Sequence, residues 1–183
     1  ATVDVVHKNG GVFIADEVQP GFARTGQAFF GFARHGIVPD MITMGKPMGN
    51  GIPISGLAAK EDVLAAFSDK LPYFNTFGGN PVSIAAAQAV LKYIKDENLQ
   101  EHCKKVGAAL LKALKEVQER HPESVGDVRG AGLFLGFEFV KNDGNKTPDK
   151  DMALNVIEML RDEHILTSVI GHYGNILKLR PPM

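Results

Sequence analysis

The stretch GGVFIADEVQPGFARTG, Gly10–Gly26, carries the reading on which the fold rests. Within it, VFIADEV is a near-continuous apolar run, as expected for a strand covered on both faces of a sheet. The run gives out at two adjacent carboxylates, Asp16 and Glu17, and continues as a glycine-rich loop with Gln19 two residues on. Burying a carboxylate is costly unless a cation or a hydrogen-bond donor meets it. In an open α/β sheet, ligands bind beyond the carboxyl ends of the strands, and Asp16 sits at such an end. A helix cap or an ion pair with Arg24 is the plain structural alternative.

Outward from this stretch, the first third alternates strands and turns with helix. TVDVVHKNG before it reads as a helix whose Gly10 is a C-terminal cap. PDMITMGKP predicts a strand over Met41–Met44, ended by Gly45 and Pro47, and ISGLAAK another over Ile54–Ala58. KEDVLAAFSD is a short amphipathic helix, and FNTFGGNP a glycine turn in which Pro81 opens the next helix. Ile84, Ala87, Leu91 and Ile94 mark the apolar face of that helix. Leu99, Cys103, Val106, Leu110, Leu114 and Val117 mark the face of a second, with a bend at ENLQ between them. The last third reads as a strand over Leu133–Val140, a polar loop, the helix ALNVIEMLRDEH, and the strands ILTSVI and NILKLRP. That βαββ order predicts a small α+β domain. The boundary is placed at residue 95, giving a large-domain portion over 1–95 and a linking helix with a small domain over 96–183.

The bulk properties bound the function. The chain has 183 residues, 44% of them hydrophobic and 22% charged, which is ordinary for a globular protein. A formal net charge of −1 and no long basic run give nucleic-acid binding little electrostatic support. No apolar stretch is long enough to span a membrane, and no metal site is expected. The single cysteine, Cys103, falls in a helical pattern and reads as buried packing. That fits a reducing compartment, and no leader pattern is present, so a cytoplasmic location is expected. The chain opens inside a helix-like segment at Ala1 and stops just after an apolar strand, which predicts a piece of a longer protein.

Three features carry chemistry. Asp16 is the first. Lys46 is the second, fixed between Gly45 and Pro47 just after a strand. A phosphate-loop reading fails, because Pro47 stands where a Ser or Thr is needed. A lysine that forms an imine with a carbonyl group fits better. The third is NTFGGNP, where the Thr76 hydroxyl, the glycine backbone and a helix start suggest an anion site. A plain loop-to-helix turn is the alternative. Asp16, Lys46 and Thr76 follow one another at intervals of 30 residues. Together they match pyridoxal 5'-phosphate, which needs a lysine for its aldehyde, an acid for its pyridine nitrogen and a site for its phosphate.

The blocks IADEVQPGFARTG, PDMITMGKPMGNGIPISG, NTFGGNPVSIAAAQAVL, VRGAGLFLGFEF and LKLRPPM, in this order, resemble the class III (ω-) aminotransferases of pyridoxal-phosphate fold type I. The resemblance implies an α/β fold: the end of the large, mostly parallel α/β domain followed by the small C-terminal α+β domain. It implies that Asp16 pairs with the pyridine nitrogen and that Gln19 lies near the ring hydroxyl. Lys46 forms the imine and shuttles the proton, and Thr76 binds the phosphate across a homodimer interface with shared active sites. Arg24 and Arg129 match positions read as structural. Many family members carry an arginine three residues before the first proline of the PP pair, where it clamps a substrate carboxylate. Here that position is Lys178, which lacks the planar fork, so Lys178 is a substrate-binding candidate of a different kind. The implied activity is transamination between an amine or amino acid and a keto acid. The spellings GKPMGNG and LKLRPPM are closer to the phospho-lyase branch, which eliminates phosphate from phosphorylated amino alcohols. The third alternative is a folded but inactive fragment.

Overall fold

In the computed structural model of the chain, which describes residues 2–183, strand β1 (Ile14–Asp16) is shorter than the apolar run around it. It pairs in parallel with β2 (Met41–Met44), setting Ile14 against Met41, Ala15 against Ile42 and Asp16 against Thr43. One further bond follows, from Glu17 N–H to the Thr43 carbonyl at 2.9 Å. The chain then turns, with Gly21 N–H bonded to the Glu17 carbonyl at 3.1 Å, and this ends the strand. The expected cover on both faces is not found among the described residues, since Ala15 is buried but Ile14 stays 52% exposed.

Strand β3 (Gly56–Ala59) joins β2 antiparallel, giving the order β1-β2-β3. One carboxylate secures the start of this sheet. Asp40, just before β2, accepts from His7 Nε2 at 2.7 Å, Phe13 N–H at 2.8 Å and Lys60 Nζ at 2.7 Å. His7 comes from helix α1 (Thr2–Lys8), Phe13 leads into β1 and Lys60 follows β3. Three segments distant in sequence are thus tied to the entry of the central strand. Helix α2 (Glu61–Ser68) follows, with Glu61 and Asp62 in its first turn, where the helix dipole favours negative charge. Helix α3 (Pro81–Asp96) begins at Pro81, as the sequence predicts, and Asn80 caps it by accepting from Val82 and Ser83 N–H.

These elements, from Thr2 to Arg24 and from Ala28 to Gln100, form one compact unit. Thr25–Gln27 and Glu101–Met183 form the other. The second unit is built on helix α4 (Leu99–Arg120), and its sheet is one strand larger than expected. Strand β4 (Val125–Ala131) precedes β5 (Phe134–Phe139) in a hairpin, so the order is ββαββ rather than βαββ. VGDVRGA hides its strand character behind two glycines and two charges. It is made a strand by pairing with β5 and by burial of Val125 and Val128. Helix α5 (Lys150–Asp162), β6 (Ser168–Ile170) and β7 (Ile176–Leu179) complete the unit, with sheet order β4-β5-β7-β6 and all pairs antiparallel.

One face of this sheet builds the core. Val125, Val128, Phe137, Phe139 and Leu177 pack with Ala153 of α5, and Leu111, Leu114 and Val117 of α4 lie against them. A methyl group on Gly107 of α4 would sit 2.2 Å from the Gly132 carbonyl oxygen, so helix and hairpin meet backbone to backbone. The Cys103 side chain is fully buried, as its helical spacing predicts.

Candidate active site

Asp16 and Lys46 reach the same end of the same sheet. Asp16 closes β1, and Lys46 follows β2 by two residues, so both stand at the carboxyl ends of adjacent parallel strands. A Cβ built on Gly45 would lie 3.9 Å from Val18 Cγ2, so the segments after the two strands touch. Both Asp16 and Lys46 are exposed. Lys46 opens the 3-10 helix Lys46–Met48 with φ of 38°, in the left-handed region that residues with a Cβ avoid. Backbone of this kind costs about 1–3 kcal/mol and collects at functional sites. The turn that enforces it is tight, since a Cβ on Gly49 would come within 2.1 Å of the Ile52 carbonyl oxygen.

The two adjacent carboxylates divide their roles in a way the sequence does not show. The buried one is Glu17, not Asp16, for Glu17 is only 2% exposed. Its Oε2 accepts from Gly31 N–H at 2.7 Å and its Oε1 from Phe32 N–H at 2.8 Å. These amides open the 3-10 helix Gly31–His35, so the buried charge is met by backbone donors at a helix start. The loop from residue 18 to 30, which carries Gln19, is thereby held at both ends by one side chain. Phe22, Phe29 and Phe30 pack within it, with ring centroids 4.9–6.4 Å apart. Asp16 is the accessible carboxylate. Its Oδ1 accepts from Val18 N–H and from Thr43 Oγ1, each at 3.1 Å.

Thr76 lies in an exposed turn that the same unit carries. Gly78 N–H bonds to the Asn75 carbonyl at 3.1 Å, and Asn75 Oδ1 accepts from Phe77 and Gly78 N–H. The amides of Phe77, Gly78, Val82 and Ser83 are therefore already met by Asn75 and Asn80. The start of α3 is thus self-capped by Asn80, and Thr76 contributes a side-chain hydroxyl to the turn. The turn and the segment after Lys46 share a cleft of about 550 Å³, whose lining includes Met48, Ser55, Asn75, Phe77 and Gly79. Thr76 and Lys46 flank this lining in sequence and are not part of it.

Lys178 belongs to the second unit. In register it stands opposite Gly136 on one side and Ser168 on the other, on the face away from the core residues Leu177 and Leu179. It lines a cleft with Arg180, Thr167, Ser168 and Pro181. Arg129 lies in the same register row, across Gly136. Its Nη1 donates to Glu138 Oε2 at 2.6 Å and to Asp127 Oδ2 at 2.7 Å. Glu138 first, and Asp127 after it, push the Arg129 pKa up, which fits a role within the sheet.

An accessible amine and a carboxylate at neighbouring strand ends, with a hydroxyl-bearing turn in the same unit, have the chemistry that pyridoxal phosphate requires. Local residue order gives Glu17 no role apart from its neighbour Asp16, and for Thr43 it shows only that the residue precedes Lys46 by three; the pairing of Thr43 with Asp16 is a property of the fold.

The family model for class-III aminotransferases matches residues 2–183. A Caenorhabditis elegans protein named ethanolamine-phosphate phospho-lyase homolog 1 is 44% identical over 97% of the chain. An Arabidopsis thaliana protein named alanine–glyoxylate aminotransferase 2 homolog 2, mitochondrial, is 44% identical over 100% of it. The chain spans 38% of the length of each of these relatives. Among solved structures, a phospholyase from Arthrobacter in complex with phosphoethanolamine superposes with a TM-score of 0.93 at 41% identity. That match covers 98% of this chain and 42% of the other. A Bacillus anthracis aminotransferase gives 0.88 at 37% identity, with the same two coverages.

Proposed function

Because the chain belongs to the class-III aminotransferase family, we propose that it carries the lysine, the acid and part of the phosphate site of an enzyme that acts on amines through pyridoxal phosphate. The observation that bears most weight is the pairing of Asp16 and Lys46 at the carboxyl ends of parallel strands, with Lys46 in left-handed backbone. When bound, the cofactor supplies a carbonyl group for covalent capture and a protonated ring that draws electrons from the substrate carbon. Lys46 Nζ would hold that carbonyl and would then move a proton at the substrate carbon. Asp16 would keep the proton on the ring nitrogen through a charge-assisted bond. Gln19 would serve the ring hydroxyl, and Thr76 would donate to the phosphate.

The principal reading of the activity is transamination between an amine or amino acid and a keto acid, in the cytoplasm. The exposed Tyr73, Phe74, Phe77 and Val82 around Thr76 support a homodimer interface at that turn. The second reading is phosphate elimination from a phosphorylated amino alcohol. It is favoured by Lys178 at a position where a forked arginine would clamp a carboxylate, and by relatives named for that reaction. Borohydride reduction of the full-length protein tests the shared part of both. Wild type should retain reduced cofactor covalently, and Lys46→Ala should retain none. Covalent label in the Lys46→Ala variant would move the nucleophile elsewhere.

A further inference from the structure

The proposed acid, Asp16, does not stand alone on its strand. Its partner in the parallel register is Thr43, whose hydroxyl donates to Asp16 Oδ1 at 3.1 Å. The same oxygen accepts from Val18 N–H, a bond made by the turn that follows β1. Two donors from two different elements therefore converge on one carboxylate oxygen. That fixes the plane of the carboxyl group and singles out Oδ2 as the oxygen for a ligand.

We propose that Thr43 is a positioning residue for the Asp16 carboxylate, presenting Oδ2 to the ring nitrogen of pyridoxal phosphate. The inference rests on the pyridoxal-phosphate reading given above. Several features fit the assignment. Adjacent residues in parallel register share a face, so the Thr43 hydroxyl reaches across the ladder rather than along its own strand. Threonine is β-branched and its side chain has few accessible rotamers, so its hydroxyl makes a stiffer strut than a serine or a water would. Thr43 also precedes Lys46 by three residues on the same segment. The strand that delivers the amine thereby also sets the orientation of the acid, and the two reactive groups are held in one frame. A hydroxyl bonded to a carboxylate is a charge-assisted contact, stronger than a neutral one.

Binding of pyridoxal phosphate to the full-length apoprotein, followed by absorbance, tests the assignment. Thr43→Val keeps the branched shape and removes the hydroxyl. It should weaken binding roughly tenfold, the equivalent of a hydrogen bond to a charged group at the low end of its range. It should also shift the pH profile of the bound cofactor's spectrum. Thr43→Ser should recover most of the affinity and the wild-type profile. In an Asp16→Ala background, which removes the oxygen that accepts from Thr43, Thr43→Val should change binding by less than about twofold. Wild-type affinity and spectrum in Thr43→Val would overturn the proposal. So would a Thr43→Ser variant as impaired as Thr43→Val, which would show that the hydroxyl alone recovers nothing. Additive losses in the double variant would do the same. If Thr43→Val unfolds, the comparison of Thr43→Ser with wild type in both Asp16 backgrounds decides by the same criteria. Wild-type protein that binds no pyridoxal phosphate overturns the proposed function together with this inference, and so is distinguishable from failure of the inference alone.

Discussion

Asp16 and Glu17 are chemically similar neighbours whose burial differs completely. Alternation along the strand sends one side chain to the open end of the sheet and the other inward. Glu17 then satisfies two backbone N–H groups that would otherwise be unpaired. Glu17→Ala removes both acceptors at once, and leaving a buried donor unmet costs about 1–3 kcal/mol. Chemical denaturation of that variant should show a loss of stability of at least this size. Asp16→Asn should behave in the opposite way. It is exposed and its Oδ1 contacts survive as an amide oxygen, so the melting temperature should stay near wild type. Cofactor binding should weaken without disappearing, and turnover of the full-length enzyme should fall by about 100-fold or more, the range that positioned proton transfer contributes. Near-normal turnover in Asp16→Asn would remove the role assigned to this acid.

At the scale of elements, the β1-β2-β3 sheet has a structural end and a chemical end, the second being the proposed site. Asp40 gathers α1, the approach to β1 and the exit of β3 at the structural end. The Lys60 ammonium, the Phe13 amide and His7 hold its carboxyl well below the usual carboxylate range. A depressed folded-state pKa stabilises the protein when the group is ionised in both states. That contribution is present above the ordinary value of 3.8 and is lost as the pH falls through and below it. Melting temperatures across pH should therefore show Asp40→Asn less stable than wild type at neutral pH, with the gap closing in acid. A constant gap would mean that the loss is packing and not charge. The chemical end is arranged differently. There the strands stop early, Lys46 takes up strained backbone, and Asp16 stays open to solvent.

For the whole molecule, the outstanding question is which substrate the family chemistry serves. Lys178 stands in a cleft of the second unit beside Arg180, Thr167 and Ser168. An ammonium and a guanidinium with two hydroxyl-bearing residues suit a phosphate group at least as well as a carboxylate. Supplying phosphoethanolamine to the full-length enzyme separates the two readings. Phosphate release without any keto acid would establish elimination, and strict dependence on a keto acid with no phosphate release would establish transamination. The sequence by itself determined the family blocks, the strand over Met41–Met44 and the helix start at Pro81, and it singled out Lys46 and Asp16 as the proposed lysine and acid. All of these are written in local residue order: apolar runs, proline and glycine stops, and fixed spacings. Only the tertiary structure decided which carboxylate is buried, that VGDVRGA is a strand, that the start of α3 is already capped by Asn80, and that Thr43 holds Asp16. Each of these depends on a partner far away in sequence or on a side chain's choice between two nearby donors. Periodicity cannot register such choices, because burial and hydrogen bonding are properties of neighbours in space.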